Sequence, residues 1–201
     1  MSDRVKSGMG GALAALDFDA ELMLRVREGD GASFGVLLDK HRSSVVHFLF
    51  RMVQNHAVAE ELAQEVFLRV YRSRATYEPT AKFTTWLFRI ATHLALNALR
   101  DGKYDRKQEH LDDDTGDLPA RQVSDSRLNV EESMVREARM AEIRRAIAEL
   151  PEKQRAAVLM HKYQEMEYSQ IAKVLNCSES AIKSLLFRAY ETLRGRLAHM
   201  A

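Results

Sequence analysis

From Phe34 onward the chain repeats apolar residues at helical spacing. Phe34, Leu37, Leu38, His41, Val45, Phe48, Leu49 and Met52 follow i, i+3, i+4, i+7, i+11, i+14, i+15 and i+18, which predicts one long helix with a broad buried stripe. His41 lies on that stripe and reads as a half-buried packing residue rather than a ligand. A shorter helix, Phe18 to Arg27, precedes it, and Gly29-Asp30-Gly31 separates the two. Asn55-His56 marks the next break. A third helix is expected from Ala57 to Arg74, with Leu62, Ala63, Val66, Phe67 and Val70 inward and Glu60, Glu61, Gln64 and Glu65 on the opposite face. A polar loop with Pro79 leads to a fourth helix, Phe83 to Arg100. There Trp86, Ile90, Leu94 and Ala98 are expected to share one buried face, with Leu87 and Ala91 beside them.

After residue 101 the period stops. Residues 102–130 carry Asp112-Asp113-Asp114 with Gly116, Pro119, Ser124 and Ser126, the composition of a flexible acidic linker. Such a segment serves as a plain tether or as a nucleic-acid mimic in a partner's basic channel. Helical spacing resumes from Val130 to Leu150, with Met134, Ala138, Ala141, Ile143, Ile147 and Leu150 as buried candidates. Pro151 then opens a helix from Glu152 to His161 that holds Ala156, Val158 and Leu159 inside.

The final stretch, Tyr168 to Arg196, reads as two helices around a tight turn. Ile171 and Leu175 face inward on the first, and Ile182, Leu186, Ala189 and Leu193 on the second. Asn176 suits the left-handed residue that ends a helix, and Ser178 suits the cap of the next. Ala172 falls where two crossing helices need a small side chain. These are marks of a helix-turn-helix, although an ordinary helical hairpin shares the spacing. The outward face of the second helix separates the two readings. Ser180, Lys183, Ser184, Phe187 and Arg188 make a short-polar, cationic surface suited to phosphates and base edges.

The expected fold class is therefore all-α. Two small helical domains, 18–101 and 132–201, follow a disordered N-terminus (1–17) and are joined by the acidic linker (102–131). Charge follows the same division. The net of +1 hides an uneven layout, with +2 over residues 21–101, −4 over 102–135 and +4 over 136–201, so the two domains suit an anionic partner. One cysteine, Cys177, excludes an internal disulfide, and seven scattered histidines lack metal-ligand spacing. No apolar run reaches the length of a membrane span. Gly8 to Leu16 only faintly resembles a leader and reads as a frayed end in a cytoplasmic protein. No nucleophile–base pair, phosphate loop or metal cluster suggests an enzyme, so no catalytic residue, metal or cofactor is assigned.

The fourth predicted helix carries more chemistry than a core helix needs. Lys82, Trp86, Arg89, His93 and Asn97 interleave a large ring with cations and an amide, as single-stranded nucleic acid requires: rings stack on bases and cations meet phosphate. On spacing alone, Trp86 serves equally as core. The acidic face of the third helix, taken alone, is an ordinary solvated surface. With only these features in hand, a dimeric repressor or a protein-binding adaptor stays open.

Three segments resemble the extracytoplasmic-function (ECF) group of sigma-70-type RNA polymerase sigma factors. Ala59–Tyr71, AEELAQEVFLRVY, is similar to region 2.2, which docks on polymerase. Phe83–Arg100, FTTWLFRIATHLALNALR, is similar to regions 2.3 and 2.4, which open and read the −10 element. Leu150–Leu193 is similar to region 4, which reads the −35 element. The resemblance implies core RNA polymerase as partner through Glu61, Leu62, Gln64, Glu65 and Phe67. It implies single-stranded −10 DNA on Lys82, Trp86, Arg89, His93 and Asn97, and duplex −35 DNA on Ser180, Lys183, Ser184, Phe187 and Arg188. An anti-sigma factor becomes a candidate partner on the same ground. Three departures stand out. His93 replaces a common Asn, Leu185 and Tyr190 stand where Arg is frequent, and Asn176 replaces a turn Gly. The first two are expected to alter promoter preference.

Overall fold

The computed structural model describes residues 17–101 and 130–200, with side chains in the second segment from residue 133. The tail before Asp17 and the acidic linker lie outside the described residues. Eight helices follow in order: α1 (Phe18–Arg27), α2 (Gly31–Val53), α3 (His56–Arg72), α4 (Phe83–Arg100), α5 (Val130–Ala148), α6 (Glu152–Tyr163), α7 (Tyr168–Leu175) and α8 (Glu179–Arg196). No strand occurs among the described residues, so the fold is all-α, as the spacing predicts.

Side-chain caps set the helix ends. Asp30 accepts from the N–H groups of Ala32 and Ser33 at 2.9 and 3.2 Å, so α2 starts ahead of its apolar period. Gln54, at φ 55°, ends α2 in the left-handed conformation, and Asn55 then caps α3 by accepting from Val58 N–H at 3.0 Å. Asp17, placed in the tail on sequence grounds, caps two helices at once. Its carboxylate accepts from Ala20 N–H in α1 at 2.7 Å and from Phe83 N–H at the start of α4 at 3.1 Å. One residue thereby fixes where the first and fourth helices begin relative to each other.

Helices α1 to α4 enclose a core centred on Phe48, Leu49, Met52, Phe83 and Phe88, with the Phe48 and Phe88 rings edge to face at 5.2 Å. The α3 stripe is buried throughout, as predicted. On α4 Leu94 and Ala98 are buried as expected, but the most enclosed face is rotated from the predicted one. Leu87, Phe88, Ala91 and Ala95 are fully enclosed while Trp86 and Ile90 are half-buried. The cause is that α4 packs against α2, α3 and α7 together, so more of its circumference is covered than a single stripe. His41 is more buried than expected and is hydrogen-bonded: its Nε2 lies 2.9 Å from Asp19, which also accepts from Lys40 at 2.6 Å. The loop before α4 is not wholly polar either, because Tyr77 is buried in it and its ring meets Phe83 and Trp86.

A second bundle is made by the end of α5 with α6, α7 and α8. Ile147 and Leu150 pack into it as predicted, and Ile143 is half-buried. The expectation of buried Met134, Ala138 and Ala141 is corrected: all three are exposed, Met134 at 65%. Only the C-terminal end of α5 meets other helices, so its earlier turns have nothing to bury against. The two bundles share one continuous apolar cluster rather than standing apart.

Candidate nucleic-acid interface

The helix-turn-helix forms as its local chemistry dictates. Asn176 adopts φ 51°, ψ 56°, and its N–H closes onto Ala172 O. Ser178 Oγ accepts from Ala181 N–H at 3.2 Å to start α8. Ala172 is buried at the crossing, with Ile171 and Ile182 fully enclosed beside it. Ser180, Lys183, Ser184, Phe187 and Arg188 recur at i, i+3, i+4, i+7 and i+8, and all five are exposed. Phe187 is 66% exposed, a large ring held in water with no packing role. Arg188 Nε donates to Ser184 O at 3.2 Å, which lays the guanidinium along the helix.

Leu185 and Tyr190 sit off this face. Both are half-buried against the apolar cluster, and the buried Tyr190 hydroxyl lacks a hydrogen-bond partner. Burial raises the Tyr190 phenol above its ordinary pKa. These are packing positions, so the cations that are missing there would have had to reach around α8 to meet DNA.

The α4 set forms a second outward stripe. Lys82 is the N-cap, and Trp86, Arg89, His93 and Asn97 follow at i+4, i+7, i+11 and i+15. Four are exposed; Trp86 is half-buried, its ring 4.9 Å from Tyr77 and 5.8 Å from Phe83. The core reading of Trp86 therefore holds for the part of the ring that meets Tyr77 and Phe83, and the ring is only partly enclosed. Partial burial, and then the charge of Arg89, lower the pKa of His93. Its ring is neutral at pH 7 and offers one donor and one acceptor.

On α3, Glu60, Glu61 and Gln64 are exposed, and Glu65 is half-exposed in an ion pair with Arg69 at 2.7 Å. Leu62 and Phe67, expected as contact residues, turn inward with 6% exposure each. They fix the height of the helix on its core and hold the carboxylates outward. Sequence reasoning missed the continuation of this strip. Leu68 and Tyr71 are 49% and 41% exposed; Phe34 packs on the Tyr71 ring at 5.1 Å, and the Arg74 guanidinium lies 4.1 Å from it. The available signal was the spacing from Gln64 to Leu68, which keeps a leucine on the polar side.

Comparison with known proteins places the chain in a family. Family models for Sigma-70 region 2 and Sigma-70, region 4 match residues 37–104 and 140–193. The RNA polymerase sigma factor CarQ of Myxococcus xanthus is 32% identical over 183 residues, spanning 89% of this chain and 97% of that protein. The ECF RNA polymerase sigma factor SigX of Bacillus subtilis is 33% identical over 162 residues, spanning 81% and 82%. Among solved structures, the sigma factor RpoE in complex with the anti-sigma factor NepR from Bartonella quintana shares the fold. Its TM-score is 0.62 at 20% identity, over 82% of this chain and 96% of that one.

Proposed function

Because this chain belongs to the sigma-70 family of RNA polymerase sigma factors, in its extracytoplasmic-function group, we propose a residue-level division of the work of promoter-specific initiation. The segment 18–101 binds core polymerase and the melted −10 strand. The segment 132–201 binds the −35 duplex. On α3, Glu61, Gln64 and Glu65 pair with cationic side chains of a polymerase helix, while Leu62 and Phe67 hold α3 in place. On α4, Trp86 supplies a stacking ring fixed from behind by Tyr77 and Phe83. Lys82 and Arg89 neutralise phosphate, and His93 and Asn97 hydrogen-bond base edges.

Extruding a base costs a few kcal/mol. A ring platform that needs no rearrangement offsets that cost only for bases its neighbours can hydrogen-bond, so strand opening and sequence reading become one event. On α8, Lys183 and Arg188 meet phosphates or guanine, Ser180 and Ser184 reach base edges, and Phe187 contacts an apolar group such as a thymine methyl. The protein acts in the cytoplasm as a dissociable specificity subunit and performs no covalent chemistry. The same α3 and α4 surfaces would be open to an anti-sigma factor.

One observation carries the assignment: the chosen residues of α4 and of α8 each fall on a single outward stripe of a rigid helix. Run-off transcription with purified sigma-free core enzyme on a library of genomic promoter fragments tests it. Discrete start sites that depend on this chain are expected. Stable complexes without any start site would overturn the reading.

A further inference from the structure

The start of α4 is built against local preference. Its N-cap is Lys82, whose side chain makes no cap, and no acidic residue stands in its first turn. A cation at the positive end of a helix dipole is unfavourable, and the first N–H groups of a helix need partners from outside it. Helix α1, by contrast, carries Asp19 and Glu21 in its first turn. The missing acceptor of α4 comes from far away in the chain. Asp17 Oδ1 accepts from Ala20 N–H at 2.7 Å, and its Oδ2 accepts from Phe83 N–H at 3.1 Å. Phe83 is an effective place to hold the helix. It is completely buried, and its ring meets His41 at 5.5 Å, Tyr77 at 6.4 Å and Trp86 at 5.8 Å. The Tyr77 phenol is pushed up to about 12, by burial first and then by the Asp17 and Asp19 carboxylates. Both carboxylates therefore act from behind the aromatic platform.

We propose that Asp17 is a positioning residue for capture of the melted −10 strand, acting through Phe83 rather than on DNA. The proposal rests on the function proposed for α4 and adds a residue to it. Direction is the first argument. Helix N–H groups point along the helix axis, so the Asp17 bond resists sliding of α4 lengthwise, whereas ring packing restrains Phe83 sideways. Together they place Trp86, which follows Phe83 by three residues and shares its ring contacts. A recognition surface has to be held to within about 0.5 Å by the groups behind it. The register of Lys82, Trp86, Arg89, His93 and Asn97 is carried from that one anchor, because a helix rises by a fixed step of about 1.5 Å per residue.

Charge is the second argument. Folding alone would favour Ser, Thr, Asp or Asn at the cap of α4, and the chain has an exposed Lys82 there instead. Local rules are broken chiefly where function asks for it. A cation at this end suits phosphate, and the Asp17 carboxylate offsets its unfavourable placement from the inner side. Asp17→Asn separates the two duties of this carboxylate. Asn has the same shape and caps helices as well as Asp does, so the fold is kept. Its amide has one oxygen where the carboxylate has two, and its NH2 group faces the second N–H donor to donor. Ala20 lies three residues away and Phe83 sixty-six, so the local cap is the easier to keep and the loss falls on α4. Asp30→Ala serves as the control. It removes the cap that Asp30 gives to Ala32 and Ser33 on α2, a helix outside every surface assigned above.

Each full chain is assembled with sigma-free core enzyme on a promoter fragment that the wild-type chain selects in run-off transcription. Permanganate attack on unpaired thymines reads strand opening, and nuclease protection reads the upstream duplex contact. With Asp17→Asn, opening should fall about fivefold, the factor that one lost helix cap corresponds to, while upstream protection and pull-down by core enzyme stay at the wild-type level. Asp30→Ala should open the strand as wild type does, at a temperature where all three chains are folded. Equal opening by the wild-type and Asp17→Asn chains would overturn the proposal. So would an equal loss with Asp30→Ala, which would make the effect one of stability alone, or a parallel loss of core binding. A wild-type chain that selects no promoter would instead defeat the functional reading. Trp86 is the only tryptophan of the chain, so its fluorescence gives a second readout without DNA or polymerase. Acrylamide should quench it more strongly in Asp17→Asn than in the wild-type or Asp30→Ala chain. Equal quenching in all three would show that Asp17 does not place the ring.

Discussion

The two helices proposed to read promoter DNA, α4 and α8, have equal length and opposite settings. Helix α4 packs against α2, α3 and α7, and nine of its residues are buried; α8 buries Ile182, Leu186 and Ala189 and leaves a long face in water. The contrast matches what each is asked to hold. A duplex groove accepts a rod, so α8 needs only a firm backbone and an exposed face. An unstacked base offers no scaffold of its own, so the surface that receives it must be rigid beforehand. Trp86 has that rigidity because Tyr77 and Phe83 back it, and Phe83 in turn is tied through its N–H to Asp17. The lesson is that the same helical period yields a clamped helix and a solvated one, and under the proposed roles burial sets which kind of recognition each could serve.

The sharpest way to break this comparison is to empty one phenylalanine site on each helix. Phe88 is 1% exposed and stacks edge-on against Phe48; Phe187 is 66% exposed. Phe88→Ala should cost about 3–5 kcal/mol of folding free energy, read as a lowered urea midpoint. Phe187→Ala should stay within about 0.5 kcal/mol of wild type and weaken duplex binding instead. Comparable denaturation curves for the two variants would remove the distinction between a clamped and a solvated helix.

Charge reversal on α3 comes next. Glu65→Lys destroys the pairing with Arg69 and places a cation on the docking strip. Affinity for core polymerase should drop roughly tenfold or more, since like charges facing each other across an interface cost several kcal/mol. The Arg69 pair itself is half-exposed and contributes little to stability, so the melting curve should hardly move. Fluorescence anisotropy with labelled protein checks the first, thermal denaturation the second. Unchanged affinity for core would remove Glu65 from the docking surface.

Smaller effects belong to single cations on α8. Lys183→Ala and Arg188→Ala should each weaken −35 duplex binding several-fold and leave core binding intact. If the cation meets a phosphate, the slope of log affinity against log salt should fall by about 0.9. If it reads a base, the slope should hold while discrimination between sequences relaxes. Loss of core binding in either variant would place α8 on the wrong partner.

Much of this arrangement could be read in the sequence, and the failures share a cause. The stripes of α2, α3 and α8, the turn at Asn176-Cys177-Ser178 and the outward set on α8 are local, set by residues within a few positions of one another. What escaped was long-range. Nothing near Asp17 says that its carboxylate caps a helix 66 positions away. The rotation of α4 depends on α7, which follows it by some seventy residues, and period alone cannot show that a helix is packed against several neighbours at once. Met134 failed for the converse reason: its spacing is right, but no neighbour arrives to cover it. Leu62 and Phe67 were named as polymerase contacts through the family resemblance, while their spacing already turned them to the core, where they lie.

The smallest effect concerns pH, and it follows from one more long-range contact. His41 is buried, and burial lowers its pKa more than the Asp19 carboxylate beside it raises it; Lys40 pushes in the same direction as burial, and Asp17 opposes it. The folded state therefore prefers the neutral ring. For a group whose folded pKa lies below its unfolded value of about 6.5, the folded form binds fewer protons than the unfolded one in that window. Its contribution is complete above the unfolded pKa and is lost as pH falls through the folded one. Urea unfolding at pH 7.5 and pH 5 should show lower stability at pH 5, and His41→Gln should flatten part of that difference. Since His41 lies in the N-terminal bundle, the α4 side of the molecule should soften before the α8 side, visible as earlier amide exchange in α1 and α2. A variant as pH-sensitive as wild type would mean that burial and the Asp19 pairing cancel at this ring, and a more sensitive one that the pairing outweighs burial.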